Sequence, residues 1–234
     1  MPRSARSLSL AAVALAATSA CGAYVEGNCV DASETRTLSA PFQGVRVQDG
    51  IQATVASGTA PPSLVVSGDA NLLPYLHVEI APDPGSVPSN VLRLWMEVPS
   101  GTFTTCIPPT AVLAAGELSY VRAEGDSHVS ASGVATRILS VEASGKSNVE
   151  VAGPGGDRIQ VVADDASVHA RTYPVALGAQ VDLTNGARAE LHSDGAVNGS
   201  VGPGCTLSNF GTGACTAVVP ASGTPPPTIA CPAP

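Results

Sequence analysis

Small or apolar and polar side chains alternate along residues 121–133. Val121, Ala123, Gly125, Ser127, Val129, Ala131 and Gly133 fall on one face of an extended chain, while Arg122, Glu124, Asp126 and His128 fall on the other. The frame returns at Val141, Ala143, Gly145, Ser147, Val149, Val151 and Gly153. Val121, Val141, Val161, Val181 and Val201 stand 20 residues apart. A period of two predicts half-buried strands, and a unit that recurs at fixed length predicts stacked copies sharing one continuous core. The pattern therefore predicts an all-β fold, a solenoid with coils of about 20 residues.

Stacking such coils at about 4.8 Å places residue n beside residue n+20. Arg122 then adjoins Glu142 and Asp126 adjoins Lys146, so a register chosen from apolar residues alone brings opposite charges together. Each pair contributes about 0.2–1 kcal/mol. The third coil departs from the frame: Asp165 replaces Gly, His169 and Arg171 fall on the inner face, and Val168 and Ala170 take the apolar role one position early. A bulge near Ser167 would restore the phase. Val181, Leu183, Ala187, Ala189 and Leu191 return to it. After Val201 the period dissolves into Gly202-Pro203-Gly204, where a solenoid needs a cap. Two ten-residue membrane-barrel strands per period are excluded, since their outer face would have to be apolar and here carries Arg122, Glu124 and Asp126.

Upstream of the repeats, Val45 and Val47 alternate before a turn at Asp49-Gly50, and Ile51, Ala53 and Val55 after it. Leu64 to Val66 and Val91 to Val98 read as further strands. A single helical turn is expected at Asn71-Leu72-Leu73, between a capping Asp69 and Pro74. The chain divides into a signal peptide (1–20), a polar tether (21–35), the β-solenoid domain (36–218) and a tail (219–234) containing Pro225-Pro226-Pro227.

Composition narrows the chemistry. Only 3% of residues are aromatic and 13% charged, so Val, Leu, Ile and Ala must build the core. The net charge of −8 repels phosphate backbones and excludes nucleic acid as a partner. Arg3 and Arg6 precede an apolar stretch from Leu8 to Ala17, too short to span a membrane and followed by Thr18-Ser19-Ala20 and Cys21. This is an export signal, and its end resembles a lipobox, which makes Cys21 the candidate lipidation site and N-terminal membrane anchor. Thr18 stands where a lipobox usually has Leu, so secretion after cleavage at Ala20 is the alternative. An exported chain favours disulfides. Cys205 with Cys215 is the expected local bridge, and Cys29 with Cys106 would pin the N-terminal segment.

Phe42, Val45, Val47, Gly50-Ile51 and Gly68-Asp69-Ala70-Asn71-Leu72-Leu73, followed by Ala-x-Gly-x-Ser-x-Val at 123–129 and 143–149, resemble the head GIN domain, described as an autotransporter-adhesin head of exported bacterial proteins. The resemblance covers roughly residues 36–200, with Gln52 where the family's name-giving Asn would stand. It implies a right-handed parallel β-helix-like fold at the bacterial surface or in the periplasm.

No constellation in the sequence reads as catalytic. Gly125-Asp126-Ser127-His128 places a Ser near a His, yet Gly145-Lys146-Ser147-Asn148 fills the same slots without Asp or His, so the block reads as a structural unit, and neighbours on a strand point to opposite faces. Glu124 and Asp164 share an outer column two coils apart, about 9.6 Å, near the wide end for glycoside inversion. His77, His128, His169 and His192 show no ligand spacing, so no metal is expected, and no cofactor motif occurs. Asn198-Gly199-Ser200 matches an acceptor for N-glycosylation, but behind a bacterial signal it reads as a turn. The leading expectation is a non-enzymatic envelope lipoprotein, periplasmic or at the cell surface, presenting a polar ladder to a surface, glycan or protein. The alternatives are a carbohydrate-active enzyme using Glu124 and Asp164, and a periplasmic scaffold or regulator.

Overall fold

The structure is a computed structural model and describes residues 24–83, 90–99, 101–215, 217–220 and 225–232. The signal peptide and Cys21 lie outside the described residues. The fold is all-β, and its one helical turn among the described residues is a 3-10 turn at Leu73–Tyr75. That turn begins later than expected. The Asp69 side chain does not cap it but accepts the N–H groups of Cys29, Cys106 and Ile107 at 2.7, 2.9 and 3.1 Å.

Strands pair in two long ladders. The first contains Gly44–Val47, Tyr120–Glu124, Ile138–Ser144, Gly156–Asp164, the later part of Ser167–Thr184, Val197–Val201 and Ala217–Pro220, all parallel. The second contains Gln52–Ser57, His128–Ser132, Asn148–Ala152, the earlier part of Ser167–Thr184, Arg188–Ser193, Thr206–Asn209 and Thr228–Ala230, also parallel. Each repeat thus contributes one strand to each ladder, and inward side chains from both meet in one core.

Val121, Val141, Val161 and Val181 are buried and stack in one column. The column then changes: Gly199, not Val201, lies beside Val181, and Val201 lies beside Leu183. The last interval is shorter by an even number of residues, so the inward face is kept. A Cβ on Gly199, whose φ is 131°, would overlap the carbonyl of Val181, which is why the valine series stops there.

The turns between ladders explain the Gly-Asp and Gly-Lys dipeptides. Gly125 and Asp126 have φ of 60° and 61°, and Gly145 and Lys146 both 64°, a left-handed pair that glycine adopts without strain. Turn backbones stack as well, with Asp126 N–H donating to Gly145 O at 2.9 Å. Arg122 pairs with Glu142 at 3.2 Å, while Asp126 and Lys146, adjacent at the turn, form no ion pair among the described residues. The third turn has only Asp165 in the left-handed region and is one residue shorter, which sets Asn148 beside Ser167. The compensating bulge lies between His169 and Thr172 rather than at Ser167, and it leaves Val168 and Ala170 buried.

The N-terminal third is not stacked in chain order. Val91–Met96 and Thr110–Ala115 pair parallel to the outside of Gly44–Val47 and Gln52–Ser57, so the first repeat in sequence lies inside the stack. Antiparallel strands finish that end: Leu76–Ala81 on the first ladder, Ser63–Asp69 and then Asp31–Arg36 on the second. Within the stretch read as a tether, Val25–Glu26 and Asp31–Arg36 are therefore strands. At the other end the ladders do not stop after Val201. Residues 202–204 form a turn, and Thr206–Asn209 and the tail strand Thr228–Ala230 carry the second ladder on through Leu207 and Ile229.

Cys29 bonds to Cys106, as expected, and anchors the N-terminal segment beside Asp69. The second bridge is a correction: Cys215 bonds Cys231, and Cys205 is free and buried. Cys205 points into the core as the inward residue before Leu207, and Cys231 comes within reach only because Thr228–Ala230 pairs with Thr206–Asn209.

Candidate functional site

The outward side chains of the first ladder form a polar face. Arg93, Arg46 and Arg122 are lateral neighbours in one column, and Glu142 follows them. Stacked like charges repel. The buried Asp83 relieves this: its Oδ1 lies 2.7 Å from Arg46 Nη1 and 3.7 Å from Arg93 Nη2, and its Oδ2 3.8 Å from Arg122 Nη1. Tyr120 donates its hydroxyl to Asp83 Oδ2 at 3.2 Å. Glu124 accepts from Arg46 Nε at 2.9 Å and from Arg122 Nε at 2.9 Å, and Glu79 lies 3.6 Å from Arg93. Burial pushes the Tyr120 phenol well above its ordinary 10. Burial works against the charge of Arg122, but hydrogen bonds to Tyr120 and Glu124 outweigh it and hold the guanidinium above its usual range. Each arginine is matched by carboxylates, so the network fixes the face rigidly and leaves no bare cation in it.

Two concave regions flank this network. Towards the antiparallel edge, Gln48, Glu79, Arg93 and Trp95 line a cleft of about 220 Å³, and His77 stacks on Trp95 with ring centroids 5.3 Å apart. Towards the other end, Gln160, Gln180 and Asn198 are neighbours in one column along a groove of about 270 Å³, beside the exposed Ile138.

The second ladder carries a cluster that the sequence reading missed. Glu150, His169 and Glu190 are lateral neighbours, His169 Nδ1 lies 3.2 Å from Glu190 Oε2, and Arg188 also pairs with Glu190. Burial would raise the Glu190 carboxyl, but hydrogen bonds from His169 and Arg188 hold it below the usual range. The Arg171 guanidinium lies over the Phe210 ring at 3.9 Å. The short third turn and the bulge break the 20-residue spacing, which is why the column cannot be found by counting.

The residues weighed as catalytic are engaged structurally. Ser127 is buried and its Oγ accepts the Gly50 N–H at 3.2 Å, while His128 lies on the outward face beside Gln52 and Asn148. Ser147 Oγ donates to Ala123 O at 2.9 Å and accepts the Ser144 N–H at 3.0 Å. Glu124 and Asp164 do share a column through Ser144, but the first is held by Arg46 and Arg122 and the second accepts from Thr184 Oγ1 at 2.8 Å and from Asn185. Glu124 is thus part of the arginine network, and Asp164 has its Oδ1 engaged by Thr184 and Asn185. Cys29, Asp69 and Cys106 bring possible ligand atoms within 4.8 Å of one another, yet the sulfurs are joined and Asp69 is filled by backbone N–H groups, so the donor set does not suit a cation.

The family described as "Putative auto-transporter adhesin, head GIN domain" matches residues 41–213. No curated protein matches the chain. Among solved structures, a putative adhesin from Bacteroides fragilis is similar at 10% identity with a TM-score of 0.59, covering 89% of this chain and 97% of that one. A putative adhesin from Parabacteroides distasonis is 15% identical over 89% of this chain and 97% of that one, with a TM-score of 0.45. The first likeness supports a shared fold. Among the described residues no helix is long and apolar enough to cross a membrane.

Proposed function

This chain belongs to the head GIN domain family, and on that premise we propose that it is a non-enzymatic adhesin of the bacterial envelope, a β-helix-like solenoid exported by its signal peptide and tethered to a membrane through lipid on Cys21. The observation that carries the reading is the outward face of the first ladder. It runs from His77 and Trp95, through the Arg93–Arg46–Arg122 column, to the amides of Gln160, Gln180 and Asn198. A stack of strands offers a long rigid surface at low conformational cost, which suits attachment more than turnover.

The test compares faces. Beads coated with the protein are scored for attachment to epithelial monolayers and to mucin. Ser140→Arg with Gln180→Arg, on the first ladder's outward face, should abolish attachment, while Thr54→Arg, on the second, should leave it unchanged. Attachment equal in all three proteins, or absent from the parent, counts against the reading. For the tether, Cys21→Ala should move the protein from the membrane to the soluble fraction; a variant that stays with the membrane removes the lipid anchor.

A further inference from the structure

The chain has one tryptophan, and it is not in the core. Trp95 stands half-buried on the outward face of Val91–Met96, where an indole is normally placed to bury its ring and does so here only in part. His77, its antiparallel partner, stacks on it at 5.3 Å with the rings inclined by 21°. The cleft of about 220 Å³ beside this pair is lined by Gln48, Glu79, Arg93 and Trp95.

The polar rim has a definite chemistry. Gln48 follows Val47 and lies beside Trp95, fixed by its N–H to Leu94 O at 3.0 Å, and its side-chain amide has no hydrogen bond to another described residue. Glu79 and Arg93, cross-strand partners 3.6 Å apart, form the adjoining wall. Arg93 is oriented further by Asp83 at 3.7 Å, a buried carboxylate that cannot itself reach the cleft without leaving Arg46. An apolar ring face is thereby set beside a carboxylate acceptor, a guanidinium donor and an amide that does both. The local charges of Glu79 and Arg93 cancel. A pyranose has the complementary form: an axial C–H face that packs on an aromatic ring, and equatorial hydroxyls that donate to carboxylates and accept from guanidinium and amide groups.

We propose that the cleft formed by Trp95, Gln48, Glu79 and Arg93 is a binding site for a neutral pyranose unit of a surface glycan. The proposal rests on the adhesin reading above and names its ligand class. Arg93 and Glu79 fix the orientation of the sugar by a pair of adjacent hydroxyls, Trp95 supplies the contact area, and His77 holds the indole upright.

Because Trp95 is the sole tryptophan, its emission reports on this cleft alone. The full chain is titrated with glucose, galactose, mannose and N-acetylglucosamine, and binding is checked by isothermal calorimetry. At least one sugar should give a saturable change in emission at millimolar concentration. Glu79→Ala, at an exposed position, and Gln48→Ala, at a half-buried one, should each weaken it roughly tenfold while the circular dichroism spectrum is unchanged. Trp95→Phe, followed by calorimetry, should weaken it also. No saturable response to any of the four sugars overturns the proposal, as does a response with the same affinity in Glu79→Ala and Gln48→Ala. Attachment of the beads that persists without a sugar response removes the saccharide site and leaves the adhesin reading standing. A sugar response without attachment does the reverse.

Discussion

Arg46 Nη1 lies 2.7 Å from Asp83 Oδ1, and the Asp83 side chain is only 1% exposed. One buried carboxylate thus joins three arginines that the parallel ladder forces into a single column. Removing one partner of such a group leaves the others desolvated and uncompensated. Asp83→Ala should destabilise the fold by about 3 kcal/mol in urea unfolding. A midpoint equal to that of the parent would show that the arginine column tolerates its own repulsion. Tyr120→Phe, which removes the hydroxyl that donates to Asp83 and accepts from Arg122, should cost about 2 kcal/mol.

Ser147 ties a turn to the preceding repeat, whereas His128 faces outward. Ser147→Ala should therefore lower stability by about 1–2 kcal/mol, since it strands a buried carbonyl and an N–H. His128→Ala should stay within about 0.5 kcal/mol of the parent. The reverse order in thermal unfolding would mean that the Gly-Asp-Ser-His block is more than a structural turn.

Gly199 tests the register. Gly199→Val restores the valine series on paper but sets a Cβ against the Val181 carbonyl and a branched side chain at φ 131°. The expected loss is at least about 3 kcal/mol, or failure to fold. A stable Gly199→Val protein would show that Val201, and not Gly199, lies beside Val181.

Peptide mapping without reduction should recover Cys215 joined to Cys231, and alkylation should reach Cys205 only after denaturant is added. Closing a loop of this length stabilises by about 3 kcal/mol, so Cys231→Ser should unfold correspondingly earlier. Recovery of a Cys205–Cys215 peptide would contradict the pairing of Thr228–Ala230 with the second ladder.

Glu190 gives a pH signature. Against the effect of burial, its carboxyl is held below its ordinary 4.5 in the fold by hydrogen bonds from His169 and Arg188, so the stability it contributes is complete above that pH and is lost as pH falls through the lower, folded value. Melting temperatures followed from neutrality into that acid range should decline less steeply for Glu190→Gln than for the parent. Parallel curves would place the acid sensitivity elsewhere.

Much of the repeat region was legible because its cause is local. Alternation at 121–133 and 141–153 fixes the inward valines and alanines, but it reads as one unbroken strand and hides the turns at Gly125-Asp126 and Gly145-Lys146, whose glycines are exposed rather than inward. The Arg122–Glu142 contact followed from counting 20 residues. Counting failed at Asp165, where a turn shortens by one residue, and at Gly199, where the interval shortens again. Each failure has a local chemical mark, a single left-handed residue in one case and a backbone too close for a Cβ in the other.

What the sequence by itself determined, then, is the strand period, the inward and outward faces and the length of the repeating unit. Each depends on residues within a few positions of one another. Only the tertiary structure decided that Gly44–Val47 lies inside the stack, that Arg93 and Arg46 adjoin Arg122 around Asp83, that Cys231 reaches Cys215, and that Trp95 shares a cleft with Gln48. These are contacts between segments far apart in the chain. They arise because a strand's open edge accepts any partner whose side chains fit, and no periodicity records which one arrives.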